Sequence, residues 1–551
     1  MSKLTGGQAL VKSLVREGVG VVFGLPGVQM YGIISALRDE PTIKLIVPRH
    51  EQATTYMADG FYRSTGLTGV ALVVPGPGIY NAGAGLSTAY SRSSSVVLIA
   101  GQIPRKTIGK DLGGLHEVND QMEITRPVTK WQKRIFRPNE VPDAIHTAFN
   151  QSKSGRTRPV HIELPPETMV ETEPVKLLEP IPINNTVPQI EKCLEVVNFI
   201  SNASKPVIYA GGGIARSNSE KEFINFVDRL GIPVITSASG KGVIPDDHPL
   251  CLGSSIGAFG HLKNYIENAD LIIAIGTRFS LRNPIKENVK VLHIDIDKSV
   301  IGKVHKNSIG IVGDIKQFLN TISKKSNPIS AKKLKDNISI TTEIRKKIDE
   351  SSEEHNEPQK SYLNFIREGT PRNAFFIAGM TQLGYYSRPH WPTYYPKTYI
   401  DSGYSGNLGF SFPTALGVKI GNPDKPVICL SGDGGFMYNS SELSTAVKYG
   451  INVVTIIYND GAYGNVARDL DDDFGGAYET SFSNPDFVKL AESYGAVGMR
   501  AQTPDKIIDL IPEALKQKKP VLIDMPVGRV GRPKIFSSRA PWMNPQNGLI
   551  D

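Results

Sequence analysis

The sequence predicts an α/β protein built of three doubly wound parallel-sheet domains, and three observations lead there. At 551 residues the chain exceeds what one hydrophobic core normally supports. Short apolar, β-branched runs alternate with helical segments along nearly its whole length, which is the layer pattern of parallel sheets covered by helices. The chain also repeats itself. Shifting it by 357 positions aligns VVPGPGIYNAGAGLSTAYSRSSSVVLIAGQ, from Val73, with LSGDGGFMYNSSELSTAVKYGINVVTIIYN, from Leu430, without gaps. Leu-Ser-Thr-Ala recurs at 86–89 and 443–446, followed by Val-Val at 96–97 and 453–454, so a duplicated strand–turn–helix–strand unit is expected.

Composition narrows the classes. Hydrophobic residues make up 40% and charged residues 21%, ordinary for a globular protein, and no apolar run reaches the length of a bilayer span. The start, MSKLTGGQALVKSL, lacks the continuous apolar region of a secretory signal. Cys193, Cys251 and Cys429 are scattered without metal spacing, and their odd number suits reduced thiols and a cytoplasmic location. The net charge of +8 is spread out, without an aromatic-basic module for nucleic acid. Its field favours anionic small substrates.

Residues 1–170 form the first expected domain: an amphipathic run Gly6 to Glu17, a strand Val21 to Phe23, a helix near Tyr31 to Leu37, a strand Lys44 to Val47, then a helix from Glu51 to about Ser64. PVHIELP, 159–165, reads as its closing strand. Residues 185–330 form a Rossmann-like middle domain, with strands Val207–Ala210, Val234–Thr236, Leu271–Ile275 and Val291–Ile294 and polar or glycine turns at Gly211-Gly212-Gly213, Gly276-Thr277-Arg278-Phe279, Asp295 and Asp297. Such turns suit an adenine dinucleotide, although the glycine fingerprint is incomplete. The Lys-, Ser- and Glu-rich stretch 331–360 reads as a solvated linker helix, and 361–551 as the last domain, with a polar loop Tyr463 to Asp473 and a basic tail carrying Arg529, Arg532, Lys534 and Arg539.

The chemistry concentrates between Val427 and Gly464. Val427–Leu430 and Val453–Tyr458 read as adjacent parallel strands joined by a helix from about Ser440 to Tyr449. The turns Gly432-Asp433-Gly434 and Asn459-Asp460-Gly461 therefore emerge at one carboxyl edge, where open α/β sheets bind ligands. Two carboxylates 27 positions apart meet there. Gly432, Gly434 and Gly435 let backbone approach a bulky anion, a helix amino end offers free N–H groups, and hard oxygens suit octahedral magnesium. The expected ligand is a magnesium diphosphate. In the first copy Gly76 stands at the position of Asp433 and Gln102 at that of Asn459, so the metal chemistry is lost there.

This pair of turns resembles the diphosphate-binding motif of thiamine diphosphate enzymes. The resemblance covers nearly the whole chain and implies a pyrimidine-binding domain, a middle domain and a diphosphate-binding domain, with the cofactor spanning two subunits, hence a homodimer at least and a homotetramer as the larger expectation. It implies magnesium ligands Asp433, Asp460 and the carbonyl of Ala462, with Asn459 and Tyr463 in the same turn. RHEQATTYMADGFYR, 49–63, resembles the acetolactate synthase branch, whose Glu hydrogen-bonds the aminopyrimidine and promotes the tautomer that takes the thiazolium C2 proton; Glu51 inherits that role. YSGNLGFSFPTALG, 404–417, resembles the segment whose apolar residue wedges beneath the cofactor, and position matching gives Leu408. GLHEVNDQMEITRPVTKW, 114–131, resembles the same branch, yet Leu115-His116-Glu117 replaces its Phe-Gln-Glu turn. His116 is either an acid–base group or a loop histidine, and Gln121 is a second candidate facing the reaction. GTRF and HIDID match the synthase pattern in the middle domain, for which flavin adenine dinucleotide (FAD), ADP or no ligand all stay open. The implied activity is acetolactate synthase-like decarboxylation and carboligation of 2-oxo acids. A 2-hydroxyacyl-coenzyme A lyase or oxalyl-coenzyme A decarboxylase is the alternative, and a silent scaffold the last.

Overall fold

The computed structural model describes residues 2–531 apart from 185, 255–259, 280–284, 287–288, 307 and 354–356. Three six-stranded parallel sheets carry the chain. The first contains β1 (Val21–Gly24), β2 (Lys44–Ile46), β3 (Gly69–Val73), β4 (Val96–Gly101), β5 (Trp131–Arg134) and β6 (Val160–Leu164), in the order β2-β1-β3-β4-β6-β5. The middle sheet contains β7 (Pro206–Ala210), β8 (Val234–Thr236), β9 (Cys251–Ser254), β10 (Leu271–Ile275), β11 (Lys290–Asp295) and β12 (Ser308–Val312), in the order β9-β8-β7-β10-β11-β12. The last contains β13 (Phe375–Ala378), β14 (Tyr399–Asp401), β15 (Val427–Gly432), β16 (Val454–Asn459), β17 (Val497–Arg500) and β18 (Val521–Pro526). Its order, β14-β13-β15-β16-β18-β17, repeats that of the first sheet strand for strand. A separate antiparallel pair ties Ser2–Thr5 to Thr172–Val175. Among the described residues no helix is long and apolar enough to cross a membrane.

The duplicated sequence folds as a duplicated structure. In the first copy, α1 (Glu51–Thr65) and α2 (Pro77–Arg92) flank β3. In the second, α3 (Ser411–Gly421) corresponds to α1, and the counterpart of α2 is broken into α4 (Asp433–Met437) and α5 (Glu442–Tyr449). The break follows from the residues, since Asn439-Ser440-Ser441 compete with helical hydrogen bonding where the first copy has Ala82-Gly83-Ala84. α1 and α3 pack directly on each other. A Cβ on Gly60 would lie 2.2 Å from the Thr414 carbonyl oxygen, and one on Gly417 2.0 Å from that of Met57. Gly60 and Gly417 are equivalent at the 357-residue shift, so each copy presents the same missing side chain to the other. One continuous apolar core results, running from Phe23, Tyr56 and Leu86 to Phe412, Leu416 and Leu443.

Two expectations need correction. Tyr463 to Asp473 is not an open loop: α6 (Gly464–Phe474) is helical, capped by Gly475 at φ +81, because Val466, Ala467 and Leu470 make a short helical stripe within the polar residues. The linker helix, Ala331–Glu353, forms as expected but is not solvated all round: it lays Leu334, Ile338, Ile344 and Ile348 along the middle domain. Those four residues form a narrow stripe, easily lost in a lysine-rich run. Arg529 pairs with Asp471 of α6, while the tail residues Arg532, Lys534 and Arg539 lie outside the described residues.

The contact of α1 with α3 can be tested by adding one carbon. Alanine is the better helix former by about 1 kcal/mol, so propensity alone predicts that Gly60→Ala and Gly417→Ala stabilise. The close approach predicts the reverse, a loss of about 1–3 kcal/mol for each, and less than the sum for the double variant because one separation relieves both. Thermal unfolding midpoints above the parent value in both single variants would contradict the close packing.

Candidate active site

The parallel pairing of β15 with β16 sets Gly432 opposite Tyr458, so Asp433 and the Asn459-Asp460-Gly461 turn leave neighbouring strands at the same edge. Asp433 is 2% exposed and opens α4. Its Oδ1 accepts the Gly434 N–H at 2.8 Å, and its Oδ2 accepts the Gly461 N–H at 2.8 Å and the Asn484 Nδ2 at 2.7 Å. Asp460 faces it. Burial first, and the Asp433 charge second, push the Asp460 carboxyl up to about 7. Among the described residues no group of three or more His, Cys, Asp or Glu side chains is placed to hold a metal ion, so this pair is the carboxylate donor set at the edge. Donors of this kind fit magnesium, which takes few carboxylates and completes its shell with diphosphate oxygens and water.

Glycines let neighbouring side chains close in around the turn. A Cβ on Gly464 would stand 2.2 Å from Asp460 Oδ2, and one on Gly434 2.8 Å from the Tyr463 ring. Tyr463 packs edge-on against Phe482, with ring centroids 5.0 Å apart. Leu408, half-buried, reaches over Gly435, where a Cβ would be 4.0 Å from its Cδ2. Glu51 is the first residue of α1, after the cap His50, whose Nδ1 accepts the Gln52 N–H at 3.2 Å. The Glu51 carboxylate is half-buried and accepts the Asn81 Nδ2 at 2.9 Å.

Family comparison meets this geometry domain by domain. Residues 4–124 match the N-terminal thiamine pyrophosphate binding domain of thiamine pyrophosphate enzymes, 194–322 their central domain and 379–525 their C-terminal binding domain. The chain is 36% identical to the acetolactate synthase large subunit of Haemophilus influenzae over 552 residues, covering 96% of this chain and 95% of that one. It is 34% identical to probable acetolactate synthase large subunits of Methanococcus aeolicus, over 565 residues, and Methanocaldococcus jannaschii, over 546, each covering 95% of this chain and 92% of the relative. The chain belongs to the thiamine diphosphate enzymes, in the acetolactate synthase type.

In this thiamine diphosphate enzyme the remaining sequence candidates are placed unevenly. His116 sits at φ +66 in a turn that crosses over Gly76, where a Cβ would be 2.4 Å from the His116 carbonyl oxygen; its Nδ1 is 3.0 Å from Gln29 Oε1. Glu117 closes that turn by accepting the N–H groups of Leu112 and Gly114 at 3.0 and 2.8 Å. Gln121 departs from the expectation of a group facing the reaction. It is fully buried behind Gly76, its Nε2 donating to the Gly101 carbonyl at 2.8 Å and to the Glu163 carboxylate, and its Oε1 lying 3.4 Å from the Gly76 nitrogen. At the start of a short helix, Gln121 turns inward to serve backbone and the Glu163 carboxylate instead. Asn459 donates to Asp524 at 2.9 Å and its Oδ1 accepts from Asn484 at 3.0 Å, holding the turn to β18. Sequence reasoning missed Asn484, Asn81 and Glu442. Asn484 lies in SNPDF, where only the helix cap Asp486 was legible.

The carboxylate pair has a stability consequence. Folding raises the Asp460 pKa, so its contribution to the apo protein is fullest below the ordinary carboxylate range and is lost as pH rises through about 7. Asp460→Asn should therefore stabilise the apo protein at pH 8, by about 1 kcal/mol once solvent screening is allowed for, and leave it little changed at pH 4. Calorimetry at the two pH values checks this, and an equal effect at both would show that the pair is not strained.

Proposed function

We propose that this chain is a magnesium- and thiamine diphosphate-dependent synthase that decarboxylates a 2-oxo acid and joins the remaining fragment to a second carbonyl compound. The observation carrying this is the facing carboxylate pair Asp433–Asp460 at a glycine-rich strand edge, in a chain that matches acetolactate synthase large subunits along its length. Bound thiamine diphosphate supplies a nucleophilic carbon and a sink for the electrons released by carbon–carbon cleavage. The chain supplies the rest. Asp433, Asp460 and the Ala462 carbonyl hold magnesium, Gly432, Gly434 and Gly435 admit the diphosphate, and Tyr463 and Asn459 shape the turn beside it. Leu408 would support the cofactor, and Glu51 would accept a hydrogen bond from, or share a proton with, its aminopyrimidine. His116, on its strained turn, is the acid–base candidate next to Gly76.

The working unit is a homodimer at least, in which Glu51 of one subunit serves the cofactor held by the other. Tyr80, Met437 and Tyr438, 59%, 41% and 51% exposed around the starts and ends of α2 and α4, support a partner covering this edge. The two cofactor domains and the middle domain correspond to 361–551, 1–170 and 185–330, and the location is cytoplasmic.

A flavin or adenine nucleotide in the middle domain is the second part of the proposal. Arg156 and Arg158 of the first domain meet Arg216 and Arg278 of the middle domain, and burial together with the other arginines pushes Arg156 down to about 10. Arg278 stacks over Tyr404 at 4.4 Å and Arg158 over Tyr90 at 3.7 Å. Close by, Arg63 and Arg388 lie 3.9 and 3.2 Å from the Asp401 carboxylate, which Arg92 also pairs. This excess of guanidinium suits a diphosphate bridge. The glycine triplet 211–213 is less available to one, since Gly211 and Gly213 are packed against Gly276.

Purified protein supplied with thiamine diphosphate, magnesium and pyruvate should release carbon dioxide and form acetolactate. Cofactor bound without either product would move the substrate search to coenzyme A thioesters. Glu51→Gln should keep the cofactor and slow exchange of its C2 proton by about 100-fold or more, read by NMR after acid quench; unchanged exchange removes the assignment. Absorbance near 450 nm in the purified protein, abolished in Arg278→Ala, would support flavin.

A further inference from the structure

We propose that Glu442, on the helix of the second copy, is a positioning residue for Glu51, acting through the backbone that carries it. The inference rests on the reading of Glu51 given above and assigns it a support from the other domain. Glu442 is fully buried, and its acceptors are spent on the chain leading into α1. Its Oε1 accepts the N–H groups of Arg49 and His50, both at 3.0 Å; its Oε2 accepts the Arg49 N–H at 3.1 Å and the Thr445 hydroxyl at 2.7 Å. The Val47 N–H donates to the Tyr449 hydroxyl at 3.0 Å, and Gln52 Nε2 donates to Asn439 Oδ1 at 3.0 Å. Residues on both sides of Glu51 are therefore held by the segment Asn439–Tyr449 of the other domain. The backbone angles of Arg49 and His50 decide where the Glu51 side chain starts, and a buried carboxylate bonded to both N–H groups leaves them little freedom.

The duplication shows the same device working in the other direction. At the 357-residue shift Glu51 corresponds to Leu408, and Thr445 to Thr88. Just before Leu408, Asn407 Nδ2 donates to the Ala84 carbonyl at 2.7 Å, Ser87 Oγ at 3.1 Å and Thr88 Oγ1 at 2.9 Å. Each copy of the Leu-Ser-Thr-Ala helix thus latches the other copy's segment, one ahead of the carboxylate and one ahead of the wedge. The helix that carries the recurring word makes the latch in both copies, and Glu442, just ahead of the word, stands where the first copy has Gly85.

The test measures C2 proton exchange of bound thiamine diphosphate in the magnesium-loaded protein, alongside cofactor affinity and steady-state turnover of pyruvate. Glu442→Ala should slow exchange about 10-fold or more and lower kcat with KM for pyruvate and cofactor affinity within about threefold. Glu442→Gln should restore most of the rate, since its amide oxygen can accept both backbone N–H groups while its NH2 donates to Thr445. In a Glu51→Gln background Glu442→Ala should add no further loss, as expected of a residue that acts only through Glu51. If Glu442→Ala does not fold, Glu442→Asp takes its place, with a carboxylate one methylene short of the two N–H groups and the same slowing expected. Wild-type exchange in Glu442→Ala or Glu442→Asp, with Glu51→Gln impaired, overturns the positioning role. Equal slowing in Glu442→Gln and Glu442→Ala, each with loss of cofactor affinity, overturns it in favour of a general packing role. Wild-type exchange in Glu51→Gln instead overturns the reading on which the proposal rests.

Discussion

The architecture hangs on the contact of α1 with α3 across Gly60 and Gly417. Two helices meet closely enough that neither tolerates a side chain at the crossing, and each begins at a segment carrying a candidate cofactor-facing residue, Glu51 or Leu408. Helix packing is rigid on the scale of a methyl group, so the two segments are held in a fixed relation by backbone contact rather than by any bond between their side chains. Around this contact the apolar core runs without interruption from the first domain to the last.

Onto that rigid frame the chain loads unfavourable electrostatics. Asp433 and Asp460 repel each other in a buried turn, and the arginines of the cleft between domains depress one another's ionisation. Glu442, too, is pushed up by burial, and the hydrogen bonds it accepts and the charge of Arg49 oppose that shift. Like charges gathered in low dielectric destabilise an empty protein and favour whatever neutralises them, a cation in one place and a polyanion in the other.

The duplication also explains a division of labour. Both copies keep the strand order and the Leu-Ser-Thr-Ala helix, but only the second keeps the two carboxylates. In the first copy Gly76 takes the place of Asp433, and the space is filled by the His116 turn and by Gln121 from behind. A turn freed from holding charge has become a wall.

Much of this was legible in the chain itself. Strand runs such as VICLSG and VTIIYN, the alternation with helices and the internal repeat determine the three-sheet α/β architecture, because burial on both faces forces β-branched runs and crossover helices place consecutive turns at one edge. The same logic brings Asp433 and Asp460 to one strand edge. Tertiary structure alone decided the partners of those residues. Asn484 reaches Asp433 from 51 positions away, Glu442 reaches Arg49 across 393, and Gln121 turns into the core rather than toward the reaction. Sequence period and turn chemistry are local and set each segment's form. Which buried donor meets which acceptor is settled only when separate segments are desolvated together.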